Sequence, residues 1–165
     1  MGEQIRSGEF RAQSKGQAGI VDHSEDPLIG SRPNSPLRIL YVEDNQIVRE
    51  VTSELLAKDD RHIVALGTAE EALTEFSEHA FDVVITDVSL PAMSGLDLAR
   101  NILTLKPTTS IIVASGYFLD LSLQKWGPNV RAIIKPFDVE QIDALIEELC
   151  AGAEPETTSR PPAPS

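Results

Sequence analysis

The chain has 165 residues, 41% hydrophobic and 24% charged, which suits one domain with a core of ordinary size. Its formal net charge of −12, from 26 acidic against 14 basic residues, argues against nucleic acid, whose binding draws on Lys and Arg facing phosphate. No apolar run is long enough to cross a bilayer, the N-terminus lacks the apolar core of a secretory signal, Arg6 stands where a myristoylation signal wants Ser or Thr, and the lone Cys150 fits a reducing cytoplasm.

In chain order, residues 1–36 mix Gly, Ser, Gln and Pro with both charges and read as a flexible tail, despite a short apolar patch at Ile20 and Val21. A domain is expected over residues 37–150. Its first strand is Arg38–Val42, followed by a helical stripe of Ile47, Val51 and Leu55. A second strand, His62–Leu66, precedes a capping box of Thr68 and Glu71 and the stripe Ala69, Ala72, Leu73 and Phe76. The strand Asp82–Thr86 leads to Leu98, Ile102 and Leu105, closed by Pro107. Ser110–Ala114 is the fourth strand, and Leu119, Leu123 and Trp126 mark a shorter helix ending at Gly127-Pro128-Asn129. Trp126, at helical spacing from Leu119, reads as a core or half-buried residue. Val130–Ile134 is the fifth strand, and Asp138 suits the N-cap of a last helix carrying Ile142, Leu145, Ile146 and Leu149. Residues 151–165 are rich in proline, hold no large apolar side chain, and read as a disordered tail.

Apolar strands alternating with helices indicate an α/β fold: a doubly wound parallel sheet of five strands with helices on both faces. Ligands of such folds sit beyond the carboxyl ends of the strands, at the switch point. The residues that follow the strands are Glu43-Asp44 after the first, Asp87 after the third, Ser115 after the fourth and Lys135-Pro136 after the fifth. Three carboxylates, a hydroxyl and an ammonium would converge there. Crowded carboxylates repel one another, and a hard divalent cation such as Mg²⁺, which keeps several waters and coordinates phosphate, relieves that repulsion. An ionised Asp could then attack phosphorus while Lys135 and the metal neutralise the phosphoryl oxygens. Each motif alone is weak: an acidic pair after a strand is ordinarily a solvated turn, Lys-Pro-Phe a bend, and Ser after an apolar run a cap. Their joint occurrence at the correct strand ends is what carries the reading.

The motifs RILYVEDN, DVVITDVSLPAMSG, IIVASGY and AIIKPF, spread over about Pro36 to Ala151, resemble the receiver domain of two-component response regulators. The resemblance implies a flavodoxin-like strand order 2-1-3-4-5 and a phosphoacceptor at Asp87. Asp44, Asp87 and the backbone carbonyl of Ser89 would be direct Mg²⁺ ligands, with Glu43 acting through water. Ser115 and Lys135 would be the hydroxyl and lysine positions, with a cis Lys135-Pro136 bond. It also implies a histidine kinase or histidine phosphotransfer protein as phosphodonor, slow autodephosphorylation rather than enzymatic turnover, and an unidentified protein partner reading the fourth helix, fifth strand and fifth helix, about Leu119 to Leu149. The sequence departs from the family at Ala132, where receivers commonly carry an aromatic or His that moves when the hydroxyl is drawn inward. Tyr117, two residues after Ser115, either takes over that response or simply shields the phosphoryl from water or packs the fourth helix. His23, His62 and His79 share no ligand spacing. With only a short polar stretch after Leu149, a stand-alone cytoplasmic receiver or a phosphorelay intermediate is expected, since Ser115-Gly116-Tyr117 also resembles receivers of hybrid kinases. Two other classes compete. An aspartyl-phosphate phosphatase would need a second Asp where Ser89 stands, and a phosphorylation-independent interaction module would not need the five site residues.

Overall fold

The computed structural model of the chain describes residues 35–117 and 125–152. Strands β1 (Leu37–Val42), β2 (Arg61–Leu66), β3 (Val83–Asp87), β4 (Ser110–Ser115) and β5 (Val130–Ile134) alternate with helices α1 (Gln46–Leu56), α2 (Ala69–Glu78), α3 (Gly95–Leu105) and α4 (Val139–Ala151). Every strand lies within a residue of its expected bounds, although Asp87 and Ser115 close β3 and β4 rather than follow them. The expected helix through Leu119 and Leu123 and most of both expected tails lie outside the described residues; Lys125 and Trp126 form a single 3₁₀ turn.

All strand pairings are parallel and the order is β2-β1-β3-β4-β5, as expected. Alternate strand residues face opposite layers, and both layers are apolar. Leu40, Val42, Val84, Ile111 and Val113 meet Ala72, Phe76, Leu98 and Ile102 of α2 and α3. Ile39, Tyr41, Ile85 and Ile112 meet Leu56 of α1 and Ile142, Ile146 and Leu149 of α4. This double burial is why β3 and β4 read as unbroken apolar runs: every position in them is buried. Each large aliphatic side chain so placed contributes ~1.5–3 kcal/mol. The edge strand β2 is at best half-buried along its length.

Asn45, Thr68, Ser94 and Asp138 each accept a hydrogen bond from a first-turn N–H and so start the four helices. The capping box expected at Thr68 is half made: its hydroxyl accepts from the Glu71 N–H, but the Glu71 carboxylate takes the Thr68 hydroxyl instead of the cap N–H. The complete reciprocal box is at Asp138 and Gln141.

The stripes of α2 and α4 face the core as expected, and so do Leu98 and Ile102 of α3; Leu105, at the end of α3, is exposed. Helix α1 overturns the reading of its apolar stripe. Ile47, Val51 and Leu55 are 73%, 52% and 49% exposed, while Thr52 and Leu56 are buried. The helix is rotated because its inner face has two other tasks. Thr52 sits beside the fully buried Tyr41, and Arg49 turns inward to the loop that follows β1.

Candidate functional site

The strand order changes direction between β1 and β3, so their carboxyl ends open the crevice of this sheet. Glu43 and Asp44 leave β1 there. The register sets Val42 opposite Thr86, Asp87 opposite Ala114, and Ser115 opposite Ile134, so each site residue lies at or just past the end of its strand. A main-chain bond of 2.8 Å from the Lys135 N–H to the Ser115 carbonyl carries the alignment on to Lys135, whose bond to Pro136 is cis.

Carboxylate oxygens of Glu43, Asp44 and Asp87 lie within 4.8 Å of one another, Glu43 and Asp87 buried and Asp44 exposed. Lys135 Nζ lies 2.5 Å from Glu43 Oε2 and 3.2 Å from Asp87 Oδ2. Burial by itself would lower the Lys135 pKa, but the hydrogen bond that its ammonium donates to Glu43 and the charges of Asp87 and Glu43 outweigh it and raise the pKa above 10.5. Its ammonium therefore stays charged at neutral pH. One ammonium against three carboxylates leaves an excess of negative charge, and each like-charged pair at this spacing costs ~3 kcal/mol in a partly buried setting. The donor set is all oxygen. Such a pocket fits a small hard dication that neutralises carboxylates and keeps its remaining sites for water or phosphate oxygens.

Other groups hold the end of β3 in place. Asp87 Oδ1 accepts from the Ser89 N–H at 3.2 Å. The Thr86 hydroxyl donates to the Asp87 carbonyl at 3.0 Å, and the Gly95 N–H to the Val88 carbonyl at 3.1 Å. The Met93 N–H donates to Glu70 Oε1 at 3.1 Å, tying the loop after β3 to the first turn of α2. Arg49 Nη1 reaches back from α1 to the carbonyls of Glu43 and Asp44, at 2.7 and 3.3 Å. Sequence reasoning did not find Arg49, Glu70, Thr86 or Gly95. These contacts join different loops or use main-chain atoms, which leave no spacing to read.

Ser115 is 3% exposed, and its Oγ accepts from the Tyr117 N–H at 3.2 Å. The Tyr117 side chain is 79% exposed, so it does not pack the core, and Ala132 and Ile134 of β5 are exposed as well. Trp126 is half-buried, as read from its spacing, with the Arg100 guanidinium 4.9 Å from its ring centre. His62 is exposed and His79 contacts Glu75, whereas His23 lies outside the described residues. Ser89 is exposed beside the acidic pair's cluster partner Asp87. Among the described residues no helix is long and apolar enough to cross a membrane.

Comparison with known proteins agrees with this geometry. Residues 39–147 match the family model for the response regulator receiver domain. The chain is 34% identical over 113 residues to the sensor protein TorS of Escherichia coli, covering 67% of this chain and 12% of that protein. It is 30% identical over 115 residues to the two-component response regulator PhoP of Pseudomonas aeruginosa, covering 68% and 51%. The chain thus spans only part of these relatives, at most about half. Among solved structures, the response regulator TrrA of Thermotoga maritima in complex with Mg²⁺-BeF superposes with a TM-score of 0.61 at 30% identity, over 68% of this chain and 98% of that one.

Proposed function

The chain belongs to the response regulator receiver domain family of two-component systems, and from that premise we propose that Asp87 accepts a phosphoryl group from a histidine kinase or histidine phosphotransfer protein. The resulting aspartyl phosphate then changes which protein the domain binds. The observation that carries this reading is the meeting of the Glu43, Asp44 and Asp87 carboxylates with the Lys135 ammonium at the switch point of the sheet.

In this reading Asp44, Asp87 and the Ser89 carbonyl hold Mg²⁺, with Glu43 acting through water; the all-oxygen donor set and its excess negative charge support the assignment. When bound, the ion supplies positive charge to the phosphoryl oxygens and to the Asp87 carboxylate. The chain's own residues do the rest. Asp87 is the nucleophile: a carboxylate oxygen forms the O–P bond as the N–P bond of the donor's phosphohistidine breaks, and its electron pair stays with the imidazole nitrogen. Lys135, already 3.2 Å from Asp87 Oδ2, keeps its charge and balances the charge that builds on the phosphoryl group. Ser115 has a hydroxyl hydrogen to donate to that group. Drawing Ser115 inward would pull on the Tyr117 N–H, which gives the switch a route that needs no aromatic at Ala132. Coupling of this kind is typically worth ~1–3 kcal/mol.

A protein donor must cover Asp44, the exposed member of the cluster, and the exposed apolar stripe of α1 begins just beyond it at Ile47. We place the donor on that stripe. The output partner reads β5 and α4, where Ala132 and Ile134 are open on the strand.

Incubating the chain with Mg²⁺ and a small-molecule phosphodonor, beside Asp87→Asn, tests the reading by intact mass. Labile addition of one phosphoryl group to the wild type alone is expected. Equal addition to the variant, or none to either, would overturn it.

A further inference from the structure

Arg49 is the lone cation of α1, and it stands in the N-terminal half of the helix, where the helix dipole disfavours positive charge. It is not spread over solvent. Its guanidinium is half-buried, and one nitrogen, Nη1, serves two consecutive carbonyls, Glu43 at 2.7 Å and Asp44 at 3.3 Å. The same group fills the space over Gly67: a β-carbon there would lie 3.2 Å from Nη1 and 3.7 Å from Cζ. Gly67 follows Leu66, whose carbonyl accepts the Glu43 N–H at 3.1 Å. One side chain therefore clamps the main chain of both members of the acidic pair, and the loop after β2 is shaped to admit it.

We infer that Arg49 is a positioning residue that sets the Mg²⁺ affinity of the site, an inference that rests on the metal-binding reading above. With their carbonyls committed to the guanidinium, Glu43 and Asp44 have only their side chains left to offer to the pocket, and those side chains start from a fixed main chain. Two effects of the guanidinium oppose each other. Its charge repels an incoming dication, and its hydrogen bonds remove the disorder that the loop would otherwise lose on binding. The repulsion passes through a half-exposed setting and is screened, whereas the hydrogen bonds act directly on the ligand-bearing backbone. Preorganisation wins, so removing Arg49 weakens binding.

Titration of the full chain with MgCl₂ by calorimetry, with no phosphodonor present, reads this directly. Arg49→Ala should raise the dissociation constant about tenfold, the low end for loss of a group that orients metal ligands. Arg49→Lys keeps the charge but offers a poorer fit to two acceptors, and should fall between. Gly67→Ala, which touches neither carboxylate, should displace the guanidinium and weaken binding in the same direction by a smaller factor. If Arg49→Ala does not fold, Arg49→Lys and Gly67→Ala decide the matter. Unchanged or tighter Mg²⁺ binding in the folded variants overturns the inference and leaves the phosphoacceptor reading standing. A wild-type chain that takes up no Mg²⁺ overturns both.

Discussion

A methyl group on Gly95 would stand 1.8 Å from the main-chain oxygen of Asp87 and 2.7 Å from its carbonyl carbon. No flexible side chain can yield there, because the obstacle is the backbone of Asp87 itself. Gly95→Ala must push α3 away from the end of β3, at a cost of about 3 kcal/mol, the upper end for overpacking. Thermal unfolding of the variant should show that loss, together with weakened Mg²⁺ binding, since Asp87 moves with its carbonyl. A variant as stable as the wild type would mean that α3 is not seated against β3 as described. Three residues earlier, Ala92 has a φ of 61°, a region that L side chains rarely adopt, so the loop after Asp87 is tight on both sides. None of this was legible in the residue types. Asp87 could be named as a candidate because a carboxylate after an apolar run is visible in a sequence, whereas a close approach between backbones is not.

At the scale of elements, α1 shows how periodicity can find a helix and misplace its face. Ile47, Val51 and Leu55 recur as an amphipathic helix requires, yet it is Leu56, fully buried, that enters the core. Leu56→Ala should therefore destabilise the fold by ~2–5 kcal/mol. Val51→Ser should change stability by no more than about 0.5 kcal/mol. If the exposed stripe receives the phosphodonor, Val51→Ser should slow phosphoryl transfer from a protein donor and leave uptake from a small-molecule donor untouched. Chemical denaturation of the two variants, followed by transfer kinetics with both donors, separates these effects; a large stability loss in Val51→Ser would return the stripe to the core. The stripes of α2 and α4 were legible because their apolar residues have no competing task. In α1 a buried Tyr41 on one side and a guanidinium clamp on the other take the inner face.

Across the whole molecule, Asp143 on α4 ties the start of β2 to that helix. It accepts from Arg61 Nη1 at 2.6 Å and Lys58 Nζ at 2.7 Å, joining β2 and the turn before it to the last helix. Burial alone would raise the Asp143 pKa, but the hydrogen bonds from Lys58 and Arg61 prevail and hold it below 3.8. A depressed folded-state pKa means stability that is fully present above 3.8 and is lost as pH falls through the lower folded value. Lys58 is 43% exposed and its share is screened, so the Arg61 bond, 5% exposed on its side, carries most of the effect. Asp143→Asn should cost ~1–3 kcal/mol at neutral pH. The gap between variant and wild type should close as pH is lowered below 3.8 in urea unfolding series. A gap that is constant with pH would show that the ion pairs are not its source.

The sequence by itself determined the alternation of strand and helix, the parallel sheet buried on both faces, and the five residues at the strand ends, because apolar runs, caps and chemistry-bearing side chains are properties of short stretches. Only the tertiary structure decided that Glu43, Asp44 and Asp87 come within reach of one another and of Lys135, that α1 turns its apolar stripe outward, and that Arg49 and Gly95 shape the backbone around them. Those outcomes depend on how elements distant in the chain share one volume, and on main-chain atoms that every residue carries alike.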